Sequence, residues 1–214
     1  MDMLTDQTRR AALTGLGASV LAGSPAFAAT ARAAIHRNRA FGPWNVVRNA
    51  PPAPLDGRLS LLSGRETTLR QWIGQGPSIL ILWALWCPPC IAENPALASL
   101  QRQLTTRGSK TQLRCLQAYD DQTLHAADMR LRAMNCSELQ IARASPALEG
   151  DFVRFFRASP IDPRRTSLPS VVMLDQNGAE VGRAQGALQT GSRPYWTDPA
   201  AVSFLAELDS LLRP

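Results

Sequence analysis

The hydrophobic positions of the chain fall into short segments that have the spacing of strands and helices. Residues 79–85 form a continuous apolar run without alternation, which is typical of a central strand covered on both faces. Steps of three and four residues then predict a helix from residue 89 or 90 to about 106, whose buried face carries Cys90, Glu93, Leu97, Leu100 and Leu104. The sequence therefore predicts a strand that leads directly into a helix.

Further segments predict a mixed sheet with helices around it. Turn residues indicate a small N-terminal hairpin at 58–68 and a tight turn at Asn177-Gly178. The other predicted elements are strands at 113–119, 170–175 and 180–184 and helices at 69–73, 121–133 (capped by Asp121), from 145–146 and from 198–199. We expect an α/β fold in which a central mixed sheet, parallel where helices cross over and antiparallel at the last hairpin, is flanked by helices.

The N-terminal segment has the pattern of an export signal. Arg9-Arg10 precede a weakly apolar run to Ala22, and small residues at 26 and 28 fit an Ala-x-Ala cleavage site. The adjacent arginines resemble a twin-arginine signal. The alternatives are a general secretory signal and an uncleaved anchor. An anchor is disfavoured because a spanning helix needs about 20 mostly apolar residues and this run is shorter. We therefore expect residues 1–28 to be a cleaved signal peptide, 29–50 a linker and 51–214 the folded domain, located in a periplasm, where disulfides persist.

The charge of the chain gives little support for a polyanionic partner. The formal net charge is +6, and the predicted leader contains two arginines and two aspartates, so its removal leaves that charge unchanged. Basic residues are scattered and are not interleaved with aromatic ones, which argues against nucleic-acid binding. We interpret the arginines between residues 32 and 48 as part of a solvated tail rather than a lipid-binding one. Separately, we expect the protein to be a monomer.

The strand–helix junction contains the motif Cys87-Pro88-Pro89-Cys90. Unpaired backbone N–H groups and the helix dipole stabilise a thiolate at the N-terminus of a helix. Cys87 precedes the predicted helix, whereas Cys90 lies on its buried stripe, so we expect an exposed Cys87 that attacks a partner disulfide and a sheltered Cys90 that resolves the mixed disulfide.

Glu93 lies one helical turn beyond Cys90 on the same stripe. A carboxyl group in an apolar setting has a raised pKa and can exchange a proton with a neighbouring thiol. The alternative is a first-turn carboxylate that faces water and is favoured by the helix dipole. We favour the inward orientation, and with it a catalytic role for Glu93.

Two segments carry a resemblance to a known family. Trp83-Ala84-Leu85-Trp86 before the two cysteines, with Glu93 and Pro95 after them, resembles the active-site segment of thioredoxin-fold proteins, and especially the periplasmic TlpA/ResA-like thiol–disulfide reductases. Ser167-Leu168-Pro169-Ser170, before a strand and turn, is similar to the cis-proline loop of that family. The resemblance covers about residues 50–212. The chain departs from thioredoxin at Ile81, where thioredoxin has a buried Asp.

The resemblance implies further features of the site and its partners. Pro169 would be cis and lie beside the cysteines, the backbone of Leu168 would pair with an incoming peptide, and Trp86 and Pro88 would contact the substrate. Electrons would come from a membrane thiol transporter of the DsbD/CcdA type. The substrates would be disulfide-containing exported proteins such as apocytochrome c or a copper-site assembly protein, and no cofactor is implied beyond the Cys87–Cys90 disulfide.

The chain has two further cysteines, Cys115 in a predicted strand and Cys136 after the helix that follows it. We expect a structural Cys115–Cys136 disulfide, with two buried free thiols as the alternative. A zinc site is not expected, because there is no second Cys-x-x-Cys and the histidines, His36 and His125, are isolated.

Two other functions use the same cysteines. A copper-binding assembly factor could employ Cys87 and Cys90 as soft ligands, although such carriers usually add a nearby Met or His. A thiol peroxidase needs a lone peroxidatic Cys with a Thr or Ser and a Pro at fixed spacing, and we see none. The sequence therefore favours a thiol–disulfide oxidoreductase that works as a reductase.

Overall fold

The computed structural model describes residues 52–157, 167–186, 189–190, 193–199 and 203. Its strands are β1 (Arg58–Leu61), β2 (Glu66–Thr68), β3 (Ser78–Trp83), β4 (Gln112–Gln117), β5 (Gln140–Ala144), β6 (Ser170–Leu174), β7 (Glu180–Gln185), β8 (Gln189–Thr190) and β9 (Arg193–Pro194). Its helices are α1 (Leu69–Ile73), α2 (Pro88–Thr106), α3 (Leu124–Ala133), α4 (Pro146–Arg157) and a 3₁₀ helix (Tyr195–Thr197). The predicted signal peptide and linker, and most of the predicted last helix, lie outside the described residues.

Seven of these strands form one mixed sheet in the order β2-β1-β5-β4-β3-β6-β7. The central strands β3, β4 and β5 are parallel, while β6 is antiparallel to β3 and β7 is antiparallel to β6. The hairpin of β1 and β2 extends the sheet by antiparallel pairing of β1 with β5. The predicted α/β fold, with its mixed sheet and N-terminal hairpin, is confirmed.

β3 is buried on both faces, as its unbroken apolar sequence predicts. Ile79, Ile81 and Trp83 pack into the cluster that contains α2, whereas Leu80 and Leu82 pack into the opposite cluster with the phenylalanines of α4. On α2, the predicted stripe is also confirmed, since Cys90, Glu93, Leu97, Leu100 and Leu104 are all buried. Two hydrophobic layers therefore hold β3, and with it the start of α2, in place.

Two sequence predictions about local structure are wrong. The first concerns β5, where no strand was predicted because Gln140–Ala144 has only one large apolar side chain. The segment forms a strand because it lies between β1 and β4 and its alanines pack against α4. Asp121 does not cap α3. Thr123 does, since its hydroxyl accepts the N–H of Ala126 at 3.1 Å.

Arg183 of β7 contacts α4 within the core. Arg183 is fully buried and donates to both carboxylate oxygens of Glu180 and to the backbone carbonyl of Phe155 at 2.6 Å. Its guanidinium also lies over the ring of Phe155, 3.6 Å from the centroid. The charge of Arg183 is therefore compensated within the core by groups from two elements.

Removing Glu180 should destabilise the protein strongly, because Arg183 would keep a buried charge without its carboxylate. We expect Glu180→Ala to lower the free energy of unfolding by about 3 kcal/mol. The control is Glu66→Ala, which removes the partner of Arg58 in a pair whose side chains are 64% and 74% exposed; it should cost below about 1 kcal/mol. Urea denaturation measures both, and equal losses would contradict the interpretation.

Candidate active site

The two cysteines lie where the central strand passes into α2. β3 ends at Trp83, and Cys87 is the N-cap of α2 with extended backbone angles. Pro88 and Pro89 have no N–H, so Cys90 supplies the first backbone donor of the helix, and this N–H points to the sulfur of Cys87 at 3.3 Å. This geometry lets the helix N-terminus stabilise negative charge on Cys87.

The structure holds Cys87 and Cys90 as a disulfide, with 5.3 Å between their Cα atoms. Both residues are buried, with exposures of 2% and 1%. The predicted exposure of Cys87 is therefore wrong for this oxidised state. Helical periodicity reports only the face of α2. Cys87 precedes the helix and is buried in a cluster built from several elements, against which the loop residues Leu85 and Leu168 also pack.

Glu93 lies inward, with an exposure of 5%. It follows Cys90 by one turn on the buried face of α2, and the indole N–H of Trp196 donates to its Oε2 at 3.1 Å. Sequence analysis did not find Trp196, because the two residues are 103 positions apart and no local pattern links them. The sheltered position of the carboxyl group agrees with the inward orientation that the stripe predicts.

The loop before β6 reaches the same edge of the sheet as the cysteines. β6 is antiparallel to β3, with Ser170 opposite Leu82, so Pro169 lies where β3 gives way to the Cys87 loop. The Leu168–Pro169 peptide bond is cis, as the resemblance implied. Pro169 is buried and Leu168 half-buried, and the carbonyl of Pro169 accepts the N–H of Gly186 at 2.8 Å.

Trp86 is the exposed aromatic residue beside the disulfide, with an exposure of 58%. Its indole N–H donates to the carbonyl of Tyr119 at 2.6 Å. Glu149 anchors Tyr119 in turn, because its carboxylate accepts the backbone N–H of Tyr119 at 2.7 Å and its carbonyl accepts the phenol at 2.9 Å. Burial and the charge of Glu149 raise the pKa of Tyr119 well above its usual value. Trp86 is thus oriented from α4, while Pro88 is exposed beside it.

Asp120 is a buried carboxylate that sequence analysis missed. Its Oδ2 accepts the N–H of Leu85 at 2.5 Å, and its Oδ1 accepts the N–H of Gln122 at 3.0 Å. Arg143 donates to the carbonyls of Asp120 and Gln122 at 2.7 and 2.8 Å. Asp120 thereby ties the loop before Cys87 to the loop after β4. An acidic residue directly after the predicted strand at 113–119 is the signal that could have indicated it.

Cys115 and Cys136 are free thiols, and the predicted structural disulfide between them is absent. Both are buried in the cluster on the α2 side of the sheet, and the thiol of Cys136 donates to the carbonyl of Met134 at 3.3 Å. Burial, with the nearby Cys136, raises the pKa of Cys115 to about 12. Their packing in the core does not require a covalent link, and sequence spacing does not report this.

The described residues contain neither a metal-binding cluster nor a membrane-spanning helix. No group of three or more His, Cys, Asp or Glu side chains among them could hold a metal ion. Within the same ranges, no helix has the length and apolar character that crossing a membrane requires.

Comparisons with solved structures identify the fold. The structure resembles DsbF of MTB in mixed oxidised and reduced forms (TM-score 0.51, 15% identity, covering 76% of this chain and 98% of that one). It also resembles a protein from Chlorobium tepidum provisionally assigned as a thiol:disulfide interchange protein DsbE (TM-score 0.50, 21% identity, 78% and 100%). A third similar structure is a provisionally assigned electron transfer protein from Aquifex aeolicus (TM-score 0.54, 16% identity, 75% and 93%).

The chain therefore has the thioredoxin-like fold that its sequence predicts. No family model matches the chain, and no curated protein matches it either.

Asp120→Ala should loosen the loop before Cys87, because it leaves the N–H groups of Leu85 and Gln122 without their acceptor. We expect it to lower the free energy of unfolding by about 2 kcal/mol, as measured by urea denaturation of the oxidised protein. The matched control is Asp121→Ala at the exposed neighbouring carboxylate, which should change stability by no more than about 0.5 kcal/mol. A similar effect of the two variants would show that Asp120 does not hold the loop.

Proposed function

We propose that this protein is a thiol–disulfide oxidoreductase that reduces disulfides of exported proteins through Cys87 and Cys90. One observation carries the proposal: the cysteines form a disulfide at the N-terminus of α2, where the N–H of Cys90 points to the sulfur of Cys87. A helix N-terminus lowers the pKa of such a thiol and thereby supplies the reactive thiolate. The thioredoxin-like fold supports the same function by analogy.

The reaction begins from the dithiol form of the protein. The Cys87 thiolate attacks one sulfur of the substrate disulfide, a mixed disulfide forms, and the other substrate sulfur leaves as a thiolate that takes up a proton. Cys90 then loses its proton and attacks the sulfur of Cys87, which releases the second substrate sulfur as a thiolate and forms the Cys87–Cys90 disulfide. Two electrons pass to the substrate, and Glu93, which is buried one turn from Cys90, accepts the proton of Cys90.

The substrate docks on the rim around the disulfide. Trp86 offers an exposed ring that its hydrogen bond to Tyr119 orients, and Pro88 lies exposed next to it. Leu168 and Pro169 form the opposite side, where the backbone of Leu168 pairs with an extended peptide. This rim is largely apolar, so it favours disulfides in unfolded or extended segments over those in compact domains.

The export-signal pattern of the N-terminal segment and the family resemblance together supply the cellular setting of the proposal. Residues 1–28 act as a cleaved signal peptide of the twin-arginine type, 29–50 as a linker, and 51–214 as the domain that works as a monomer in the periplasm. A membrane thiol transporter of the DsbD/CcdA type returns Cys87 and Cys90 to the dithiol form. The substrates are proteins of cytochrome c or copper-site assembly.

Replacing Cys90 should trap substrates. The Cys90→Ser variant attacks substrate disulfides through Cys87 but has no second thiol to resolve the mixed disulfide, so we expect it to accumulate covalent complexes in periplasmic extract. Non-reducing gels and mass spectrometry identify the complexes. The matched control is Cys87→Ser, which should capture nothing. Capture by Cys87→Ser alone would invert the two roles, and capture by neither variant would contradict disulfide exchange.

The direction of the reaction should appear in the reduction potential. We expect the Cys87–Cys90 couple to have a potential below about −150 mV, because Cys-Pro-Pro-Cys lacks the intervening His that is one device of strongly oxidising proteins. Equilibration with glutathione buffers of defined ratio measures it. A potential above that value would contradict the reductase direction and leave the exchange chemistry in place.

A further inference from the structure

We propose that Trp196 is a positioning residue for Glu93 in the resolving step, an inference that rests on the proposed function. The indole N–H of Trp196 donates to Glu93 Oε2 at 3.1 Å, and both side chains are buried, with exposures of 0% for Trp196 and 5% for Glu93. The proposed role is to hold the carboxyl group of Glu93 in place beside Cys90 and to favour its charged form.

The C-terminal part of the chain brings this donor to α2. Trp196 lies in the 3₁₀ helix Tyr195–Thr197, whose two aromatic rings are buried and meet edge to face with centroids 5.3 Å apart. The indole therefore belongs to the same hydrophobic cluster as Cys87 and Cys90. Packing fixes the direction of its N–H, and a fixed donor selects one position of the Glu93 side chain.

The chemistry of the indole suits a carboxyl group that must exchange a proton. Indole N–H is a donor and never an acceptor, so it cannot compete with Glu93 for the proton of Cys90. A hydrogen bond to the carboxylate favours its charged form, which is the form that accepts a proton. The indole carries no charge, so its bond to Glu93 is a hydrogen bond from a neutral donor, which is weaker than one from an Arg or Lys.

In the resolving step, Glu93 takes the proton of Cys90, and the Cys90 thiolate forms a bond to the sulfur of Cys87. The bond between Cys87 and the substrate sulfur breaks, and the substrate leaves as a thiolate. Other titratable groups lie in the cluster that contains Trp196 or directly after the 3₁₀ helix. They include the phenol of Tyr195, the thiols of Cys115 and Cys136, and the carboxyl group of Asp198. A test must therefore separate Glu93 from these groups.

Trp196→Phe keeps an aromatic ring in the cluster and removes the N–H. The reduced protein is mixed with the aromatic disulfide dithionitrobenzoate; Cys87 releases a first thiolate, and attack by Cys90 on the mixed disulfide releases a second. We expect Trp196→Phe to leave the first release unchanged. It should move the pH midpoint of the second release upward by about one unit, which slows that release about tenfold below the midpoint.

The matched control is Trp83→Phe. Trp83 is buried in the same cluster, and its Nε1 has no hydrogen-bond partner among the described residues. This variant makes the same change in ring size but removes no bond to Glu93, so the pH midpoint of its second release should equal that of the wild-type protein. Equal shifts in the two variants would assign Trp196 a packing role only.

A double-mutant cycle tests whether Trp196 acts through Glu93. In a Glu93→Gln background, Trp196→Phe should cause no further slowing of the second release, whereas a structural role would slow it equally in both backgrounds. Should Trp196→Phe fail to fold, the wild-type protein still decides the question. Its Trp196 indole N–H resonance should shift with pH over the range of the second release, and should lose that shift in Glu93→Gln.

The outcomes separate this inference from the proposed function. A wild-type protein that releases no second thiolate would overturn disulfide exchange itself. Suppose that the wild-type protein releases both thiolates. An unchanged pH midpoint of the second release in Trp196→Phe, or an indole N–H resonance whose pH dependence is the same in Glu93→Gln, would then overturn only the role of Trp196.

Discussion

The site depends on one hydrogen bond, from the N–H of Cys90 to the sulfur of Cys87 at the N-terminus of α2. Pro88 and Pro89 contribute no N–H, so the first donor of the helix falls at Cys90, where its direction is set by the first turn. This hydrogen-bond geometry is held in place because β3, the strand that leads into α2, is buried on both faces. The positions of the two sulfur atoms therefore depend on the packing of β3 between the two hydrophobic layers.

The sheet register brings the other parts of the site to this helix end. Antiparallel pairing of β6 with β3 carries Leu168 and Pro169 to the edge of the sheet where β3 ends, and parallel pairing of β4 carries Asp120 to the same edge. Parallel strands with helical crossovers assemble sites in this way, because the carboxyl ends of the strands meet at one edge. Asp120 then fixes the Leu85 loop through a single buried carboxylate.

Local patterns in the sequence predicted the parts of the structure that local forces determine. The continuous run of β3, the stripe of α2 and the Cys-Pro-Pro-Cys motif all depend on neighbours within a few residues. β5 was missed because its small side chains form a strand only when β1 and β4 flank it. The contacts of Asp120 with Leu85 and of Trp196 with Glu93 span 35 and 103 positions, so topology alone creates them. Burial of Cys87 has the same origin, since residues outside α2 cover it.

Glu180 and Glu93 show how the hydrogen-bond partner of a carboxyl group can serve either stability or chemistry. Glu180 binds Arg183 on the same strand, and Arg183 also donates to the carbonyl of Phe155, which joins β7 to α4. Glu93 meets the neutral indole of Trp196 beside the cysteines. A hydrogen bond from a neutral indole is weaker than one from a charged guanidinium, so it positions the carboxyl group of Glu93 and leaves it able to take a proton. The indole of Trp196 is therefore a suitable donor for the proposed proton acceptor of Cys90.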